Sequence, residues 1–437
     1  MNKDILVTIS NNLTKVFAGP LLLIFIPMYL TSTEQGYWYT FTSIAALSVF
    51  ADLGFSTIVL QFAAHEFAYC KFDDKKELRG DSYHIWKLAS FFRFTVKWLT
   101  RVISIVFPII IIGGYLFLQQ KQEGISWQLP WLIYSFASAI VFFNSALLSF
   151  FEGCDSVAVT QKCRMYITAI TALTTLVVLY FGLGLYALAV SLVFSAIVGT
   201  TLIYKHFGKF AQYLWSKTKE KYYQWQKEFN ALIWRYAVSW CSGYFIFQLF
   251  TPLAFQYHGA VFAGKIGISI AMWTAGFNIA NSWLTAVTPK LNMLVSEKKW
   301  QQLDTIFNKS LVYSILTMLV GGCCFFMQWH FLAAKVWIFQ RILSWQSMLL
   351  LFSSWLCQIY INGLALYLRS HKKEPMMPIS LFSAFYVSIT TLLCALYLEA
   401  DYLFLGFLSS YIYGVPVTYY LYKKQKLEHQ TNQNLGR

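Results

Sequence analysis

Twelve apolar stretches alternate along the chain with short polar ones. They cover about residues 13–30, 37–62, 94–118, 129–151, 165–182, 184–204, 231–254, 261–288, 308–328, 346–368, 378–398 and 402–422. A membrane span needs about 20 apolar residues at about 1.5 Å rise each, so the pattern predicts an all-α, polytopic membrane protein with about twelve transmembrane helices. The polar segments alternate in character. One set carries Lys3; Lys71, Lys75, Lys76, Arg79, Lys87 and Arg93; Lys162 and Arg164; Lys205, Lys209, Lys217, Lys219, Lys221 and Lys227; Lys290, Lys298 and Lys299; Arg369, Lys372 and Lys373; and Lys423, Lys424, Lys426 and Arg437, which is 25 of the 34 basic residues. The other set carries only Lys121, Lys335 and Arg341. Basic loops stay on the cytoplasmic side, so both termini are expected inside. Thr8, Asn11, Asn12 and Lys15 interrupt the first stretch and no small-residue cleavage site follows, so it reads as a retained helix and not a signal peptide.

The basic segment 205–230 divides the spans six and six. The expected organisation is a six-helix bundle over 1–204, a cytoplasmic linker over 205–230, a second six-helix bundle over 231–422 and a cytoplasmic tail over 423–437. Shifting the first half by 225 residues sets Ile24-Phe25-Ile26-Pro27 against Leu249-Phe250-Thr251-Pro252 and brings the basic loops after each half's second span close together. Six spans per half make such a repeat parallel, with a central cleft expected between the bundles. Residues 65–90 mix charged and aromatic side chains and are expected to lie along the inner surface.

Composition narrows the function. At 57% hydrophobic, 19% aromatic and 12% charged residues, the chain is far from the soluble norm of about 25% charged. The net charge of +15 is spread over short loops, which suits topology and anionic headgroups, not nucleic acid. Eight cysteines form no CxxC pair, and no metal, nucleotide or acyl-transfer motif occurs. No loop of the sparsely charged set is long enough to carry an external catalytic domain. A transporter therefore fits better than an enzyme, and no cofactor is expected.

An ionisable group at bilayer depth normally faces a cavity or a partner. Lys15, Asp52, Lys97, Arg101, Arg235 and Lys265 fall within spans, and five of the six are basic. Lys15 shares a helix face with Thr8, Asn11, Asn12 and Gly19, and Arg235 shares one with Ser239 and Ser242, by three- and four-residue spacing. Lys15, Arg101, Arg235 and Lys265 are thus candidates for a cationic cleft, with Asn11, Asn12, Ser239 and Ser242 as polar stripes beside it. Snorkelling to headgroups is the competing explanation for each cation, above all for the i, i+4, i+8 row Arg93, Lys97 and Arg101. Asp52 has two open readings, a basic partner on another helix or a protonatable coupling group. A cleft lined by Lys and Arg prefers an anion, and some of the 28 Tyr and 16 Trp residues could stack on sugar rings.

Phe25-Ile26-Pro27-Met28-Tyr29-Leu30-Thr31-Ser32-Thr33-Glu34-Gln35-Gly36-Tyr37-Trp38, followed by Phe50-Ala51-Asp52-Leu53-Gly54-Phe55, resembles the opening of Wzx-type O-antigen and capsule flippases. Their pattern is a Pro-ended first helix, a Leu-Ser/Thr-x-x-Glu-x-Gly turn, then Asp-Leu-Gly in the second helix. Glu152-Gly153 after the fourth span is also similar. The specific part covers about 45 N-terminal residues. The family belongs to the multidrug/oligosaccharidyl-lipid/polysaccharide exporter superfamily. The resemblance implies inner-membrane transfer of an undecaprenyl-pyrophosphate-linked oligosaccharide between leaflets by alternating access, for O-antigen or another surface polysaccharide. It also implies contact with membrane lipids, coupling to a proton or sodium ion, and a polysaccharide polymerase and chain-length regulator as partners. Asp52 sits in the family motif. The competing functions are an ion-coupled multidrug exporter of the same superfamily and a membrane polymerase or glycosyltransferase.

Overall fold

The computed structural model describes residues 3–72, 78–121, 124–217, 223–333, 335–371 and 375–435. The chain folds almost wholly into helices, and the twelve apolar stretches each seed one helical pass. Passes one to six are α1 (Lys3–Tyr29), α2–α4 (Ser32–Ala45, Val49–Asp52 and Phe55–Phe67), α5 (Ser82–Gln119), α6 (Gln128–Gly153), α7 (Val157–Tyr180) and α8 (Tyr186–Ser216). Passes seven to twelve are α9–α10 (Trp225–Phe247 and Phe250–His258), α11 (Ala260–Ser296), α12 (Trp300–Leu332), α13 (Trp345–Ser370), α14 (Met377–Tyr397) and α15 (Leu405–Leu435). Among the described residues, nine passes are long and apolar enough to span a bilayer; α1, α9–α10 and α15 are the polar, broken or tailed ones. This is a multi-pass membrane protein.

The chain divides into two compact units, Met1–Cys241 and Ser242–Arg437. In the first, α7 packs on α1 and α8, α6 packs on α8, α4 and α5, and α4 also touches α5. Its core is aromatic, with Phe55, Phe91, Phe150, Phe151 and Trp225 almost wholly buried. In the second, α11 touches α10, α12 and α13, while α15 packs on α13 and α14. Leu284, Leu291, Leu303, Phe307 and Leu364 are buried together there.

Two segments have a local form that hydropathy alone does not give. A two-stranded antiparallel hairpin, β1 (Cys70–Phe72) and β2 (Leu78–Gly80), joins α4 to an α5 that begins at Ser82. The reason is Glu66, buried at the end of α4. The Lys87 ammonium donates to its carboxylate at 2.9 Å and the His84 ring lies 2.8 Å from it. Satisfying that buried charge stands the start of α5 against α4. Next to the segment 218–222, which lies outside the described residues, α8 runs on to Ser216 and α9 starts at Trp225, and the boundary between the two compact units falls inside α9.

Candidate functional site

Five of the residues in the stretch that carries the family resemblance, Thr31, Glu34, Asp52, Leu53 and Gly54, have a local mechanical job. Thr31 and Glu34 form a capping box at the start of α2. The Thr31 N–H donates to Glu34 Oε2 at 2.9 Å, and the Glu34 N–H donates to Thr31 Oγ1 at 3.2 Å. Asp52-Leu53-Gly54 breaks the second pass. Leu53 and Gly54 take left-handed backbone, φ 46° and 75°, which ends α3 and restarts the chain as α4. The Asp52 carboxylate then accepts the Ser56 backbone N–H at 3.1 Å and the Ser56 hydroxyl at 2.6 Å. It therefore satisfies an orphan N–H of the first turn of α4 and complements its dipole. Among the described residues no ion pair reaches Asp52, so the partner found is a helix terminus and its serine, not a cation.

Of the other residues singled out by sequence, Lys15 and Asn12 on α1, and Arg235 and Ser239 on α9, have side chains outside the described residues. Asn11 is 1% exposed and points at α7 within the first unit. Ser242 is buried in the second unit, and Lys265 lies half-buried on the second turn of α11. Arg101 is exposed on α5, in one row with Arg93 and Lys97.

Asn11 leads into a network that sequence reasoning missed. Its amide donates to Gln161 Oε1 at 2.7 Å, and the Gln161 amide donates to Glu152 Oε1 at 2.8 Å. The Arg164 guanidinium donates to Ser149 Oγ at 3.1 Å, Ser145 Oγ at 3.4 Å and Glu152 Oε2 at 3.5 Å. Arg164 counts as a loop residue by its position before the fifth apolar stretch. The structure starts α7 at Val157, which carries Arg164 inside the bundle. The signal was present: Gln161, Arg164, Thr168, Thr171 and Thr175 recur at three- and four-residue spacing, a polar stripe on one face. Arg164 lines a cavity of about 160 Å³ with Asn144, Ser145, Thr168 and Ser195. The Asn144 amide donates to Ala196 O at 3.1 Å and Thr200 Oγ1 at 3.0 Å, which fixes the cavity wall on α8. An arginine has five N–H donors, and these contacts use only its two terminal nitrogens. The arrangement offers a positioned cation to an oxyanion while Glu152 balances part of its charge.

No family model and no curated protein matches the sequence. Solved structures match at the level of shape. The chain is similar to the lipid II flippase MurJ in an inward closed conformation, at TM-score 0.65 and 12% identity, over 99% of this chain and 91% of that one. It is similar to a mutant of the Vibrio cholerae MATE transporter VcmN at TM-score 0.55 and 14% identity, over 96% and 94%. A MOP superfamily transporter from Pyrococcus furiosus matches at TM-score 0.55 and 10% identity, over 97% and 95%. The chain shares the fold of these solved structures. Within that fold the first pass is α1, and Asn11 links it to Gln161, Glu152 and Arg164.

Proposed function

We propose that this protein is a flippase for an anionic, lipid-linked oligosaccharide, the undecaprenyl-pyrophosphate-linked repeat unit of a surface polysaccharide. It would act in the inner membrane with both termini cytoplasmic, and move its cargo by alternating access. The observation that carries this reading is the sign of the charges inside the first unit. Arg164 has donors to spare beside a polar cavity, whereas two described carboxylates of that unit are already occupied: Asp52 by Ser56 and the start of α4, Glu152 by Gln161 and Arg164. An exporter of cations needs an available carboxylate, so the same fold used for drug cations fits these groups less well. A pyrophosphate suits a guanidinium, which can bind it through two parallel hydrogen bonds. Likeness in shape to a lipid II flippase supports the same direction. Lys15 of α1, Arg164 of α7 and Arg235 of α9 are the proposed pyrophosphate ligands. A polymerase and chain-length regulator downstream, and a proton or sodium gradient as driving force, belong to the same proposal.

Deleting the gene in a host without a second flippase should leave lipid-linked repeat units on the inner leaflet and remove the surface polysaccharide. Normal polysaccharide export in that strain would reject the assignment.

A further inference from the structure

The exposed face of α5 changes character along its length. Arg93, Lys97 and Arg101 form a row with four-residue spacing, and the same row continues as Ile105, Ile109, Ile112 and Leu116, each at least 57% exposed. α5 has 38 residues, about 57 Å at 1.5 Å each, against a hydrocarbon core of about 30 Å. With Gln119 at one interface, the other interface falls near residue 100. Arg93 and Lys97 then sit at headgroup depth, Arg101 at the boundary, and Ile105 and Ile109 in the adjoining leaflet. The three cations also line a recess of about 500 Å³ with Phe94 and Trp98 of α5 and with Tyr223, Gln224, Trp225 and Gln226. That second wall is held in place: the Tyr223 backbone N–H donates to Ser90 Oγ at 3.0 Å, and Trp225 is 1% exposed. Trp225 also brings an indole N–H that has no acceptor among the described residues. Arg93 is braced from the other side, its guanidinium 5.0 Å from the Trp215 ring. Among the described residues no ion pair reaches Arg101.

We propose that this recess is a binding site for one anionic glycerophospholipid of the basic-side leaflet, with its phosphate between Lys97 and Arg101 and an acyl chain along Ile105 and Ile109. Charge complementarity selects the headgroup, because a phosphate accepts what guanidinium and ammonium donate. Length selects the tail. The apolar stripe within that leaflet is about as long as half the hydrocarbon core, which suits an acyl chain. The site lies wholly in the first unit and does not depend on the cargo proposed above.

Native mass spectrometry of the full-length protein from mixed vesicles of phosphatidylglycerol and phosphatidylcholine tests it. Wild type should retain phosphatidylglycerol preferentially. Lys97→Gln with Arg101→Gln, both at exposed positions, should weaken that retention about 30-fold, which converts roughly 1 kcal/mol for each of two lost cations. The charge-keeping pair Lys97→Arg with Arg101→Lys should restore it, and Lys423→Gln with Lys424→Gln, on another element, should leave it intact. Equal retention of both lipids by wild type would overturn the proposal, as would unchanged retention in the glutamine pair. Displacement of phosphatidylglycerol by inorganic pyrophosphate as readily as by a second anionic lipid would also overturn it, because only the headgroup would then be recognised. So would displacement by a polyprenyl pyrophosphate that phosphatidylglycerol cannot reverse, which would make the recess a cargo site.

Discussion

At the scale of single residues, Asp52 and Glu152 are occupied and Arg164 is poised. Asp52 accepts two hydrogen bonds at the restart of the second pass, and an asparagine can still accept both. Asp52→Asn should therefore keep near-normal melting temperature and transport, while Asp52→Ala should lose about 1 kcal/mol, as helix N-caps do. A thermal melt in detergent separates them; loss of transport in a fully stable Asp52→Asn protein would restore the coupling reading. Arg164→Ala leaves Glu152 without its cation, at a cost of roughly 2 kcal/mol for a hydrogen bond to a charged group. Adding Glu152→Gln should recover much of that stability without recovering transport. Recovery of both would make the pair purely structural. The motif around Asp52 was legible in the sequence, but its mechanical role was not, because a broken helix within an unbroken apolar stretch leaves no trace in hydropathy. Arg164 was hidden for a related reason: a helix that begins eight residues before its apolar stretch looks like loop until its polar stripe is traced.

At the scale of elements, close helix contact in a membrane depends on small residues, since lipid supplies no hydrophobic drive between helices. Gly153 is the clearest instance. A Cβ there would lie 2.5 Å from the Leu60 carbonyl oxygen and 2.9 Å from Ala63 Cβ, forcing α6 away from α4. Gly153→Ala should cost about 1–3 kcal/mol, as overpacking typically does, and should lower the amount of folded protein. Gly113→Ala has nothing within 4 Å of the new atom and should be tolerated. Equal yields of the two variants in a fluorescence size-exclusion assay would contradict the packing argument. α15 is tied to α12 beyond its apolar part, where the Lys426 ammonium meets Asp304 at 2.7 Å and the Tyr367 hydroxyl donates to the same carboxylate at 3.0 Å. The hydrogen bond that Lys426 donates to Asp304 outweighs partial burial and holds the Lys426 pKa above the usual lysine value. A raised lysine contributes fully below its unfolded value of about 10.4 and loses that contribution only as pH climbs through the folded value. Lys426→Met should thus melt slightly below wild type at neutral pH, by under about 1 kcal/mol for so exposed a pair, and the gap should close in strong alkali. A gap that widens with rising pH would contradict this sign.

At the scale of the whole molecule, twelve helical passes and a division into two units were legible from hydropathy and loop charge, because a bilayer demands long apolar helices and sorts the basic loops. Boundaries were not, since helices run past the apolar core: α5 begins at Ser82, capped by Asp81 and packed through Lys87 on Glu66, and α8 runs on to Ser216 with Phe207 and Leu214 buried. The central claim is that this fold carries a lipid-linked pyrophosphate and not a cation. The most direct measurement reconstitutes the purified protein into vesicles with a fluorescent undecaprenyl-pyrophosphate-linked oligosaccharide in one leaflet and follows its protection from an added membrane-impermeant glycosidase. The account predicts translocation by wild type, abolished in Arg164→Ala and partly kept in Arg164→Lys, with no uptake of cationic dyes by the same vesicles. Dye transport without movement of the lipid-linked sugar would contradict it.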